Sequence, residues 1–233
     1  MTSLLAIGVG IEGRLSPVDL RVEAGQMVAL VGPNGGGKTS LLRALARVER
    51  SSGSVAIGGE DVDAAGEARR RRLLSFLPAS RDMAWPIAAR DVIALGLGLR
   101  DEARIDELVG LLELKLFEHR PINRLSTGER ARMLIARALA ARPAVLLLDE
   151  PLANLEPYWV LRMMEILRGA ANEGAAVLVA LHDLAQMAAF DRALLIAGGR
   201  VEMNETPTDL VASERFESIF RVRRRDGNWQ IRP

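Results

Sequence analysis

The clearest chemistry in the chain lies in Gly32, Pro33, Asn34, Gly35, Gly36, Gly37, Lys38 and Thr39, with Ser40 directly after them. Gly32, Gly37, Lys38 and Thr39 fit the spacing G-x-x-x-x-G-K-[ST]. Where side chains are missing the backbone can curl until successive amides point into one concavity, which suits a polyphosphate. The apolar run Met27 to Val31 precedes the loop. After it, Leu41, Leu42 and Leu45 recur on one face of a helix expected over 40–48. The positive end of that helix faces the same concavity. In such a loop Lys38 reaches the β- and γ-phosphates, and the Thr39 hydroxyl takes a place on Mg²⁺. A glycine-rich turn entering a helix is the plainer alternative. The strand before and the helix after favour a nucleoside triphosphate.

A second group of residues ends an apolar strand. Val145-Leu-Leu-Leu-Asp149-Glu150 delivers two adjacent carboxylates to the carboxyl edge of a sheet, where ligands of open α/β folds bind. Asp149 would hold Mg²⁺, usually through water, and Glu150 could polarise the water that attacks a γ-phosphate. A polar strand terminus would account for the same pair. Further upstream, Ser126 and Glu129 have capping-box spacing at the start of a helix expected from about Gly128 to Ala141. Capping alone explains both side chains, yet the Ser126 hydroxyl and Gly128 amide could also grip a phosphate there. His182, one of two histidines, follows the apolar run Ala175 to Leu181 and could contact a γ-phosphate; a structural role fits it equally.

Positioning these groups takes a parallel sheet with helices on both faces. The continuous apolar runs Ala144 to Asp149, Ala175 to Leu181 and Ala193 to Ala197 read as its buried strands. Before about Ser75, short apolar stretches alternate with turn residues, as in Ser16 to Val22 and Gly53 to Gly59, and suggest an antiparallel β layer. From Ala88 to Ala141 the period becomes 3.6, which predicts an inserted helical segment. Arg69 to Arg72 lies on a helix and reads as a solvated face. Asp226-Gly227 within the basic tail signals a hairpin.

Bulk composition narrows the classes. At 233 residues the chain can bury a sizeable core as one domain, and its 31 basic and 30 acidic residues leave a formal charge of +1. That balance argues against nucleic acid as a partner recognised through overall charge. Cysteine is absent, so no disulfide or thiolate metal site exists, and the reducing cytosol is the natural reading. No signal peptide is expected from Met1 to Gly8, and no apolar run approaches the roughly 20 residues of a membrane span.

In this order the motifs resemble the nucleotide-binding subunit of the ATP-binding cassette (ABC) family over nearly the whole chain. Gly32 to Thr39 is similar to its Walker A loop, Val145 to Asp149 to Walker B and Glu150 to its catalytic glutamate. Leu125-Ser-Thr-Gly-Glu129 resembles the signature, Leu152-Ala-Asn-Leu-Glu156 the D-loop and His182 the switch histidine. The resemblance implies an α/β P-loop NTPase core, mostly parallel with flanking helices, an N-terminal antiparallel β layer and a helical subdomain. Its divisions would fall at about 1–87 with 142–219 for the core, 88–141 for the helical subdomain and 220–233 for a C-terminal hairpin. It also implies ATP and Mg²⁺ as ligands, catalytic roles for Lys38, Glu150 and His182, and a head-to-tail pair of identical subunits. Ser126 and Gly128 would then act on the partner's nucleotide.

Two departures bear on rate and affinity. Ala79 stands where the family's Q-loop has glutamine, and Val9 to Gly13 lacks the aromatic that usually stacks on adenine. Glu156 also replaces the D-loop aspartate and Thr127 a signature glycine. The compact N-terminus and the run Phe76-Leu-Pro to Ala84-Trp-Pro-Ile and Arg90 to Gly96 resemble ATPases of bacterial importers for iron-siderophores, haem and vitamin B12. That resemblance implies a transmembrane permease, an extracytoplasmic substrate-binding protein and a place on the cytoplasmic side of the inner membrane. The alternatives are an ABC ATPase uncoupled from any membrane, and an ATP-binding switch with little hydrolysis.

Overall fold

The computed structural model describes residues 4–80, 86–225 and 228–231. In chain order its first elements are β1 (Leu4–Ile11), β2 (Leu15–Val22), β3 (Met27–Val31), α1 (Lys38–Leu45), β4 (Ser54–Ile57), β5 (Glu60–Asp61), α2 (Glu67–Leu73) and β6 (Leu74–Leu77). Three helices follow, α3 (Ala89–Ala94), α4 (Glu102–Leu111) and α5 (Thr127–Leu139). The chain then returns to the sheet with β7 (Val145–Asp149), α6 (Pro157–Asn172), β8 (Ala176–Ala180), β9 (Arg192–Ala197) and β10 (Arg200–Glu205). It closes with α7 (Pro207–Ala212), α8 (Glu214–Phe220), β11 (Val222–Arg225) and β12 (Asn228–Ile231).

The central sheet has the order β10-β9-β3-β8-β7-β6. All its pairs are parallel except β9 with β10. Every residue of β3, β7 and β8 is buried, as expected for strands covered on both faces. Alternation then sends neighbours to opposite layers. Met27, Ala29 and Val31 join the core beneath α3 to α6, whereas Val28 and Leu30 join the core under α1 and the N-terminal sheet. That second sheet, of order β2-β1-β4-β5, is antiparallel throughout. Leu4 and Ala6 of β1 face the core, and Leu5 and Ile7 lie on the exposed side.

The expected layers are present, with differences that packing explains. The edge strand β6 and the antiparallel β10 are too short or too polar to stand out as buried runs. The Arg69 to Arg72 run is not a simple solvated face. Arg70 donates to the carbonyls of Ala46 (2.8 Å) and Arg47 (3.2 Å), and Arg71 to that of Leu97 (2.9 Å). Arg69 pairs with Glu60. These bonds tie α2 to the end of α1 and to the loop after α3. The backbones of β11 and β12 pair as a hairpin. Its Asp226-Gly227 turn, like Ala84 and Trp85, lies outside the described residues.

Among the helices 89–139, an ion-pair group fixes the α3–α4 corner. Glu118, only 2% exposed, accepts from Lys115 (2.6 Å) and Arg90 (2.8 Å), and Arg90 also pairs with Glu102 and Asp106. Lys115 and then Arg90 hold the Glu118 carboxyl below its usual pKa, against the opposing effect of burial. A depressed carboxylate adds stability above its unfolded pKa, and that stability fades as pH falls through the lower folded value. Glu118→Gln is therefore expected to cost about 1–2 kcal/mol near neutral pH. The difference from wild type should shrink as the solution is acidified below about pH 4. Thermal unfolding of both proteins at several pH values checks this.

Candidate functional site

Strand β3 carries the chain to Gly32, where the loop turns tightly against β9. A Cβ on Gly32 would fall 1.9 Å from the Ile196 carbonyl oxygen, and one on Gly36 2.9 Å from those of Ile196 and Pro33. Gly35 (φ 73°) and Gly37 (φ 114°) adopt left-handed conformations that a side chain would strain. The Gly36 amide donates to Pro33 O at 3.0 Å. Lys38 opens α1 and is 7% exposed; its Nζ donates to the carbonyls of Gly32 (2.7 Å) and Pro33 (3.2 Å). Burial pushes the Lys38 pKa down, while Glu150 and Asp149 pull it back up.

Residues Asn34 to Ser40 line one wall of a cleft of about 770 Å³. The opposite wall is the β1–β2 turn, including Ile11, Gly13 and Arg14. The two walls are joined through the β9–β10 turn. The Gly199 amide donates to Gly36 O (2.9 Å), and Gly199 O accepts from the Ser16 amide (2.8 Å). A Cβ on Gly199 would meet Arg14 O at 2.4 Å, so this contact needs glycine. Among the described residues no aromatic side chain lines the cleft. Gly198 and Gly199 directly follow the strand predicted over Ala193 to Ala197. Their role in holding the phosphate loop depends on contacts across the fold, which residue spacing does not show.

The acidic edge sits beside the loop. Asp149, at the end of β7, is 1% exposed, and neither carboxylate oxygen has a hydrogen-bond partner. Burial raises its pKa, and the neighbouring Thr39 hydroxyl opposes that rise. An orphaned buried carboxylate next to a hydroxyl is the donor set a hard divalent cation satisfies, so the residues fit Mg²⁺. Glu150 follows with φ 51°, held by its amide donating to Ala180 O at 3.1 Å. This left-handed turn places Glu150 on the wall of the phosphate cleft and also on that of a second cleft of about 770 Å³. The second cleft runs along Leu152 to Leu155 and includes the exposed His182.

Ser126 caps α5 in both directions. Its hydroxyl accepts from the Glu129 amide (3.2 Å), and Glu129 accepts from the Ser126 amide (2.8 Å). Ser126, Gly128 and His182 do not line the phosphate cleft of their own chain. Gly128 lies beside Leu155: a Cβ there would be 3.9 Å from its side chain. Ala79 is exposed just beyond β6, whose Leu77 pairs with Leu148 next to the acidic edge. Among the described residues no helix is long and apolar enough to cross a membrane.

Several known proteins are similar to this chain. A family model described as ABC transporter matches residues 15–153. A hemin import ATP-binding protein of Streptomyces coelicolor is 38% identical over 93% of this chain and 81% of its own length. A petrobactin import ATP-binding protein of Bacillus anthracis is 32% identical over 90% of this chain and 82% of its own. A solved ATP-binding subunit of an ABC transporter superposes with a TM-score of 0.80 at 23% identity, covering 91% of this chain and 93% of that one. A dimeric ATP-binding cassette in a post-hydrolysis state with ADP and Pi gives 0.77 at 24% identity, covering 89% and 99%. These two structures share the fold.

Proposed function

This chain belongs to the ABC transporter family, and on that premise we propose that it powers an importer of a chelated metal: haem, an iron-siderophore or a cobalamin-like compound. The cargo class is supported by relatives whose names specify hemin and petrobactin import, matched over nine-tenths of this chain. One observation carries the mechanism. The phosphate cleft holds the amide cradle, Lys38 and Glu150, while Ser126 and Gly128 lie away from it in the same chain. A second copy facing head to tail would bring its Ser126 and Gly128 to the γ-phosphate.

In this reading the amides of 34–40 and Lys38 bind and orient the phosphates. Thr39 and Asp149 would hold Mg²⁺, which would supply neutralisation of phosphate charge when bound. Glu150 takes the proton of the attacking water, and His182 senses the γ-phosphate from the second cleft. Loss of the γ-phosphate removes charge-assisted hydrogen bonds between the copies, and the pair reopens. A permease docked on the helical side would receive that motion and place the chain at the inner face of the membrane, with a substrate-binding protein delivering cargo outside.

Co-expression with a candidate multi-span permease tests the assignment. A stable complex whose ATPase rises with haem, a ferric siderophore or cobalamin is expected. A complex that never forms would favour an uncoupled ATPase.

Ala79 supports a second reading, a slow switch, because a methyl group cannot orient water. Ala79→Gln is expected to raise turnover by about three- to tenfold with ATP affinity unchanged, as a water-orienting group is restored. Phosphate release and calorimetry check this. No measurable turnover in either protein would favour the switch.

A further inference from the structure

Arg132 lies on α5 one turn beyond Gly128, its guanidinium between two rings. Its central carbon is 3.9 Å from the Trp159 centroid and 5.0 Å from that of Phe117. Its Nη1 donates to the carbonyls of Leu112 (3.1 Å) and Glu113 (3.2 Å) at the end of α4. The neighbouring Tyr158 hydroxyl donates to Glu113 Oε1 at 3.0 Å. Three elements therefore meet at one side chain: α5 carries it, the turn that ends α4 accepts from it, and α6 lays Trp159 on its face.

The place of this junction gives it a use. Helix α6 begins directly after the segment 152–156, and Leu155 of that segment packs beside Gly128 at the start of α5. Arg132 thus fixes the spacing between two stretches that lie on one surface of the chain and outside its own phosphate cleft. Both would meet the partner copy. A guanidinium suits this role because its plane stacks while its edge donates to two carbonyls, and an ammonium does only the latter.

We propose that Arg132 is a positioning residue that locks the Ser126–Gly128 helix start and the 152–156 segment into a single surface for closing on a second copy of this chain. The inference rests on the head-to-tail pairing proposed above. Without the lock each stretch would have to be ordered separately during closure, at an entropic cost.

The test uses the full chain carrying Glu150→Gln, so that bound ATP persists. ATP affinity is measured by calorimetry at protein concentrations below dimerisation, and ATP-driven pairing by sedimentation velocity. Adding Arg132→Lys is expected to leave ATP affinity within about twofold and weaken pairing by about tenfold. Trp159→Leu should behave likewise, and Trp159→Phe, which keeps a ring face, should restore pairing to within about threefold. Pairing by Arg132→Lys equal to that of its parent overturns the proposal, and so does an equal loss of ATP affinity and pairing, which would mark plain scaffolding. If the Glu150→Gln parent itself stays monomeric in saturating ATP, the pairing reading fails first and Arg132 loses its assigned role with it.

Discussion

Replacing Glu150 with glutamine is expected to lower ATP turnover by about a thousandfold while ATP affinity stays within about threefold. The two side chains have nearly the same shape, so the left-handed turn at φ 51° and its bond to Ala180 O should survive the exchange. What disappears is the carboxylate at the junction of the two clefts, the group proposed above to take the proton of the attacking water. General-base removal is typically worth a factor of about 10²–10⁴, well beyond the effect of a lost surface contact. Phosphate release by the purified protein measures the rate, and calorimetry the binding. A variant with turnover within tenfold of wild type would assign the base elsewhere.

Lys38→Ala should act on binding instead, weakening ATP by about a hundredfold or more. Charge-assisted hydrogen bonds contribute about 1.5–3 kcal/mol each, and Lys38 would supply at least one to the β- and γ-phosphates. The effect on the fold without nucleotide should be small, because two contributions oppose. Alanine removes the Nζ bonds to the carbonyls of Gly32 and Pro33, and it also relieves the burial that pushes the lysine pKa down. A net change within about 1 kcal/mol is expected in thermal unfolding. Titration with a fluorescent ATP analogue and melting curves on the same samples separate the two effects. Retained affinity would mean that the amides of the loop suffice.

Both predictions concern residues whose types and spacing already suggested their chemistry. Local rules explain that legibility. A glycine-rich turn between a buried strand and a helix is defined by consecutive residues, and a run ending in Asp149-Glu150 marks the strand edge by itself. The capping box of Ser126 and Glu129 spans one helical turn, and the structure forms both of its bonds. The helical segment was visible through its 3.6-residue period, although α1 and α5 end two or three residues earlier than the periodicity alone suggests.

The sequence by itself determined the phosphate loop, the acidic strand end, the capped helix start and the layered α/β plan, because each depends on neighbours within a few positions. Only the tertiary structure decided that Gly199 ties the loop to the β1–β2 turn, that Asp149 is buried with no partner, and that Arg70 and Arg71 brace the fold. It also decided that Arg132 sits between Phe117 and Trp159. Those features join residues far apart in the chain, and their energies come from burial and close approach, which residue spacing does not encode.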